Sequence, residues 1–251
     1  MTINFDMKHI LILIFLLWFC TLNGQEQEDD NWEEVTEGEV SRVHFVEANF
    51  SMYAPLDAYS EKIDRSLLYG FSLGYLRQLQ LEKPSFIGIE AFHMNLGIYS
   101  QNYDAVISNE QIVVTGKVAS NALGINLIYR YYPPLKLSVV EPYVEGQFGA
   151  KWMYSYLSES GVFSDEEQYD SFDFLTGTWV LTYGGAFGLQ IHISDIYFLN
   201  LKSSYHFAVS GEYEKRLEED SGFFEFPQEA FETVQSSTNV VKIDVGMTFL
   251  F

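Results

Sequence analysis

The last eleven residues, Val241-Lys242-Ile243-Asp244-Val245-Gly246-Met247-Thr248-Phe249-Leu250-Phe251, change chemistry with a period of two. Val241, Ile243, Val245, Met247, Phe249 and Phe251 make one apolar set, and Lys242, Asp244, Gly246 and Thr248 a polar one. Successive side chains of an extended chain point to opposite faces, so a strand built from this segment is greasy on one side and polar on the other. A strand standing between lipid and the polar lumen of a barrel needs that arrangement. An aromatic carboxy terminus fits the strand that closes such a barrel, and the chain is expected to end with it.

The same period recurs upstream and predicts eight strands. They run over roughly 42–53, 66–77, 86–99, 118–132, 142–156, 176–193, 196–210 and 238–251. In the second, Leu67, Tyr69, Phe71, Leu73 and Tyr75 oppose Gly70, Ser72 and Gly74. In the fourth, Leu123, Ile125, Leu127, Tyr129 and Tyr131 oppose Ser120, Gly124, Asn126 and Arg130. The third is the least regular, because Glu90 and Phe92 share a parity. Between them, residues 54–65, 100–116, 157–173 and 211–236 read as long polar loops. Residues 78–85, 133–140 and 194–195 read as short turns, marked by Pro84, Pro133-Pro134 and Ser194-Asp195. Long loops outside and short turns inside, with both termini in the periplasm, is the layout expected of an outer-membrane barrel. A soluble barrel of the lipocalin kind inverts the pattern, apolar inside and polar outside, and would leave this aromatic wall in water.

The start of the chain reads as an export signal. Lys8 and His9 precede an apolar run, Ile10 to Phe19, about ten residues long and short of the ~20 that a spanning helix needs. Residues 1–24 are therefore expected to be removed, with Met1 or Met7 as the start. Cys20 suggests a lipoprotein cysteine, but bulky Phe19 precedes it where such a signal needs a small residue. Residues 25–39, with Trp32 among acidic neighbours, lack periodicity and read as an acidic periplasmic lead-in, leaving 40–251 for the barrel. Without Cys20 the mature chain has no cysteine, hence no disulfide and no thiolate metal site.

The net charge of −21, with only 14 Lys and Arg, excludes nucleic acid as a partner. Aromatic residues make up 17% of the chain, which supplies lipid-facing bands and interfacial girdles. Eight strands enclose a space that side chains just fill. The inward positions Glu47, Arg130, Glu145, Lys151, Lys202, Lys242 and Asp244 carry both signs. Counting back from the hairpin turns sets Arg130 beside Glu145 and Lys202 beside Asp244. This reads as a plug of paired charges, since an unpaired buried charge costs several kcal/mol; a narrow conduit is the alternative.

His192 and Ser194 share a face, and with a glutamate they would supply the base, nucleophile and orienting carboxylate of acyl hydrolysis. Lipid A deacylases are small barrels of that type. An interfacial histidine and a turn serine is the plainer reading, and no catalytic residue is assigned. The histidines 9, 44, 93, 192 and 206 show no metal spacing. Asp165-Glu166-Glu167-Gln168-Tyr169-Asp170, with Asp173, offers oxygen ligands for calcium but lacks the order of a dedicated calcium loop. No metal or cofactor is expected.

With these elements placed, Phe86-Ile87-Gly88-Ile89-Glu90-Ala91, Leu123 to Tyr132 and Glu141-Pro142-Tyr143-Val144-Glu145-Gly146 resemble the outer-membrane β-barrel families of Bacteroidota-type bacteria, the PorT-like and OmpA-like group. The resemblance covers about residues 40–251. It implies an all-β transmembrane up-and-down barrel in the outer membrane of a Gram-negative cell. The carboxy-terminal Val245, Met247, Phe249 and Phe251 would then be read by the barrel-assembly machinery. Some PorT-like relatives serve protein secretion. OmpA proper adds a peptidoglycan-binding domain after the barrel, a role not implied for a chain that stops at Phe251. The expected role is structural or interactive, through loops or lead-in and an unidentified protein partner. Lipid-modifying enzyme and narrow channel are the alternatives.

Overall fold

Each of eight strands pairs antiparallel with its neighbour in the chain, and the first pairs with the last, so the sheet closes on itself. In the computed structural model the described residues are 42–63, 66–80, 83–107, 110–135, 139–163, 168–216 and 231–251. The barrel strands are β1 (His44–Pro55), β2 (Leu68–Gln78), β3 (Ser85–Ile107), β4 (Glu110–Tyr131), β5 (Val140–Val162), β6 (Gln168–His192), β7 (Tyr197–Ala208) and β10 (Val240–Leu250). Helix α1 (Asp57–Lys62) follows β1, and a separate hairpin of β8 (Ser210–Arg216) and β9 (Phe231–Ser237) lies between β7 and β10. The expected signal, the lead-in and the acidic residues 165–167 lie outside the described residues.

The wall follows from the alternation. Outward on the barrel are Phe50, Phe71, Ile89, Ile125, Leu127, Phe148, Leu181 and Phe187, all strongly exposed. The ladder sets Tyr129, Tyr131, Tyr197 and Phe249 toward the short-turn end. Tyr69, Trp152, Tyr154 and Trp179 lie toward the other end, with the aliphatic band between. Hydrocarbon is the solvent that suits such a wall, and closure leaves no unpaired backbone edge within it. This is a transmembrane antiparallel up-and-down barrel.

Two expectations need correction. Residues 100–116 and 157–173 are not loops: β3 to β6 run 22 to 25 residues and carry the ladder far past the lipid-facing band. A crossing takes about 9–11 residues, so this four-stranded overhang stands clear by roughly ten residues, about 30 Å. The pairing shifts at Asn95/Gly97 in β3 and at Ser155/Tyr156 against β6. The irregularities flip the parity beyond them in β3 and in β6, which carries the extra residue Leu175, and so the period is lost from those two strands at that point. Past the shift the outward face mixes polar Ser100, Asn102, Asp104, Thr115 and Lys117 with exposed Val106, Val113, Phe172 and Phe174. Residues 211–236 likewise hold β8 and β9 rather than loop alone. In β3, Glu90 and Phe92 do share a face, the inner one, and both are buried.

Inside, two apolar layers bracket a polar one. Phe45, Leu76, Phe86, Ile128, Tyr132 and Phe198 fill the short-turn end. Tyr53, Leu68, Met94, Leu96, Met153, Val180 and Val240 fill the far end. Tyr59 of α1 and Tyr213 of β8 meet edge to face above them, with ring centroids 5.4 Å apart. Asn239 fastens this cap. Its carbonyl accepts from Leu56 N at 3.0 Å, its side-chain oxygen from Ala208 N at 3.0 Å, and its amide donates to Asp57 at 2.9 Å.

Candidate functional site

Between the apolar layers lies a connected ion cluster. Arg130 stands opposite Glu145 on adjacent strands, and its Nε donates to Glu145 Oε1 at 2.6 Å. Its two terminal nitrogens fork onto Glu47, one to Oε1 and Nη2 to Oε2 at 2.8 Å. A planar guanidinium suits this two-sided, bidentate task in a way an ammonium does not. The Tyr143 ring lies under the guanidinium carbon at 4.0 Å. Gly188 faces that ring across the strands, and a Cβ there would run into it.

The second half of the cluster holds Lys202 and Lys242. Lys202 Nζ lies 2.8 Å from Glu90 Oε2, 3.4 Å from Asp244 Oδ2 and 3.6 Å from Glu145 Oε2, joining the two halves. Lys242 Nζ lies 3.0 Å from Glu90 Oε1 and 3.1 Å from Asp244 Oδ2. Neutral groups add further hydrogen bonds. Ser51 donates to Asp244 at 2.6 Å, Thr248 to Glu47 at 3.1 Å and Gln147 to Glu145 at 2.9 Å. All these charged side chains are essentially buried.

Six of the seven charges picked out from the sequence therefore belong to one network. The seventh, Lys151, is buried but stands apart, donating to Thr238 O at 3.1 Å. Glu90, which bridges both lysines, was missed. Its signal was the small and polar pair Gly88 and Glu90, obscured by Phe86 and Phe92 on the same parity. The terminal residues Val245, Phe249 and Phe251 are exposed on the outer face.

At the short-turn rim, His192 Nε2 lies 3.1 Å from Glu141 Oε1, both half-exposed. The serine expected beside this pair, Ser194, uses its backbone N–H to bond Tyr197 O in the turn. No hydrogen bond of its hydroxyl to His192 is present among the described residues, so the geometry offers a base and a carboxylate without an aligned nucleophile.

On the overhang, Glu159 accepts from the Tyr103 hydroxyl at 2.6 Å and from the Tyr169 hydroxyl at 3.1 Å, tying β3, β5 and β6 across the inner face. Partial burial first, and the Glu159 carboxylate second, hold both phenols above the usual 10.0. Because the folded values lie above the unfolded one, this contribution is whole below pH ~10 and lost as pH rises beyond it. Protease sensitivity of the overhang is therefore expected to climb above about pH 10. In Glu159→Gln, ultraviolet titration should show phenols ionising at lower pH. Unchanged phenol titration in that variant would contradict the assignment.

A transmembrane eight-stranded barrel with a filled, ion-paired interior and a projecting sheet is the class that these features define. No protein-family model matches the chain, and no curated protein matches it in sequence. Among solved structures it is similar to a major outer membrane protein from Thermus thermophilus, with 16% identity over 84% of this chain and 100% of that one, at a TM-score of 0.43. It is similar to the outer membrane protein OprG from Pseudomonas aeruginosa, with 14% identity over 83% of this chain and 95% of that one, at 0.43. It is also similar to Ail, the attachment invasion locus protein of Yersinia pestis, with 12% identity over 83% of this chain and 98% of that one, at 0.40. Likeness at this level gives no weight to any particular role.

Proposed function

We propose that the protein is an integral outer-membrane barrel without catalytic activity, whose projecting sheet contacts a partner outside the cell. The observation that carries this reading is the overhang: hydrogen-bonded strands continue well past the length that a crossing needs. A rigid platform of that kind serves recognition rather than anchorage. Segments 54–67, 98–118, 155–178 and 208–239 hold 19 Asp and Glu against five Lys and Arg. The partner surface is therefore basic, and binding weakens with salt.

On this reading residues 1–24 direct export, the termini face the periplasm, and the assembly machinery reads the closing strand through Val245, Met247, Phe249 and Phe251. A PorT-like part in secretion or envelope assembly fits a non-enzymatic contact barrel. The filled interior argues against a channel, and planar bilayers should stay silent. For acyl hydrolysis the rim lacks an aligned nucleophile, and lipid A should be the same with or without His192→Ala.

The deciding experiment replaces 101–116 and 158–171 with short turns. The trimmed barrel should keep its heat-modifiable gel migration and lose the partner that co-purifies with the full chain. Retention of that partner by the trimmed barrel ends the proposal.

A further inference from the structure

Lys151 is the interior cation that the network does not use. Arg130, Lys202 and Lys242 each meet at least two carboxylates. Among the described residues none lies within 4 Å of Lys151, whose ammonium donates only to Thr238 O. It lines a small cavity between the ion cluster and the far apolar layer, with room for about one water or one monoatomic ion. Lys242, His206, Thr182 and Tyr53 share the lining, and no carboxylate does. The Tyr53 hydroxyl, on a residue 2% exposed, has no hydrogen-bond partner among the described residues.

Lys151 and the Tyr53 hydroxyl thus bring donors into the cavity with no carboxylate to meet them, and they ask for an occupant that accepts and carries the opposite sign. A water would leave the charge of Lys151 without a counter-ion. Polyatomic anions exceed the space. We propose that this cavity is a buried halide site, holding chloride against Lys151 and Tyr53.

The full chain, purified in detergent, tests this by thermal unfolding in sodium chloride, bromide or gluconate at equal ionic strength. Chloride and bromide should raise Tm over gluconate saturably, by about 3 °C at ten times the half-saturating concentration. Lys151→Met should show one Tm in all three salts. Tyr53→Phe, which keeps the packing, should raise the half-saturating halide concentration about tenfold. Crystals of the unaltered chain grown in bromide should give an anomalous peak between Lys151 and Tyr53, a measurement that stands even if Lys151→Met fails to fold. A cavity without that peak, holding water alone, overturns the proposal. So does a halide effect that survives undiminished in Lys151→Met, since the ion would then bind elsewhere.

Discussion

Arg130→Met is expected to cost about 3–5 kcal/mol of folding stability, because it strands Glu47 and Glu145 as buried carboxylates without their cation. Methionine fills much of the same volume, so the loss is electrostatic rather than a cavity effect. Urea unfolding of the barrel in lipid or detergent measures it. Removing the charges as well, in Arg130→Met with Glu47→Gln and Glu145→Gln, should restore most of the loss, since a neutral polar interior avoids the desolvation that an unpaired charge suffers. Glu145 also meets Lys202, so the effects of these substitutions will not add. A single variant within about 1 kcal/mol of the parent would show that the cluster does not hold the interior together.

Leu127→Arg should be the next most damaging change, by roughly 2–4 kcal/mol. Leu127 lies outward at the height of the ion cluster, opposite Ile89 and Phe148, where only hydrocarbon can surround it. The same arginine at Ser158, outward on the overhang of β5, should change stability by no more than about 0.5 kcal/mol. The two positions share a sheet and differ only in the solvent outside. Equal penalties at both would mean that the band is not set in a bilayer, and equal indifference would mean the same.

The barrel was readable because lipid imposes one rule on every strand: apolar outward, polar or small inward. That rule made eight strands visible, and hairpin counting then aligned Arg130 with Glu145 and Lys202 with Asp244. The overhang escaped because its outward face mixes polar and apolar side chains and obeys no such rule, and because irregularities reverse the parity of β3 and β6 at the point of exit. Helix α1 and the β8–β9 hairpin escaped for a related reason. Each is short and polar outside, and each is held by a few buried rings, Tyr59 and Tyr213, that give no period.

Glu90 shows where local pattern ends. Its shared parity with Phe92 left its face undecided, and its role comes from Lys202 and Lys242, on strands more than a hundred residues away in the chain. Sequence alone determined the eight lipid-crossing segments and which of them pair as neighbours, since those depend on period and turn length. Only ring closure decided which charges meet across the lumen, that Lys151 stands without a carboxylate, and that aromatic layers seal both ends. Those facts depend on distances through the barrel interior, which no pattern along a strand encodes.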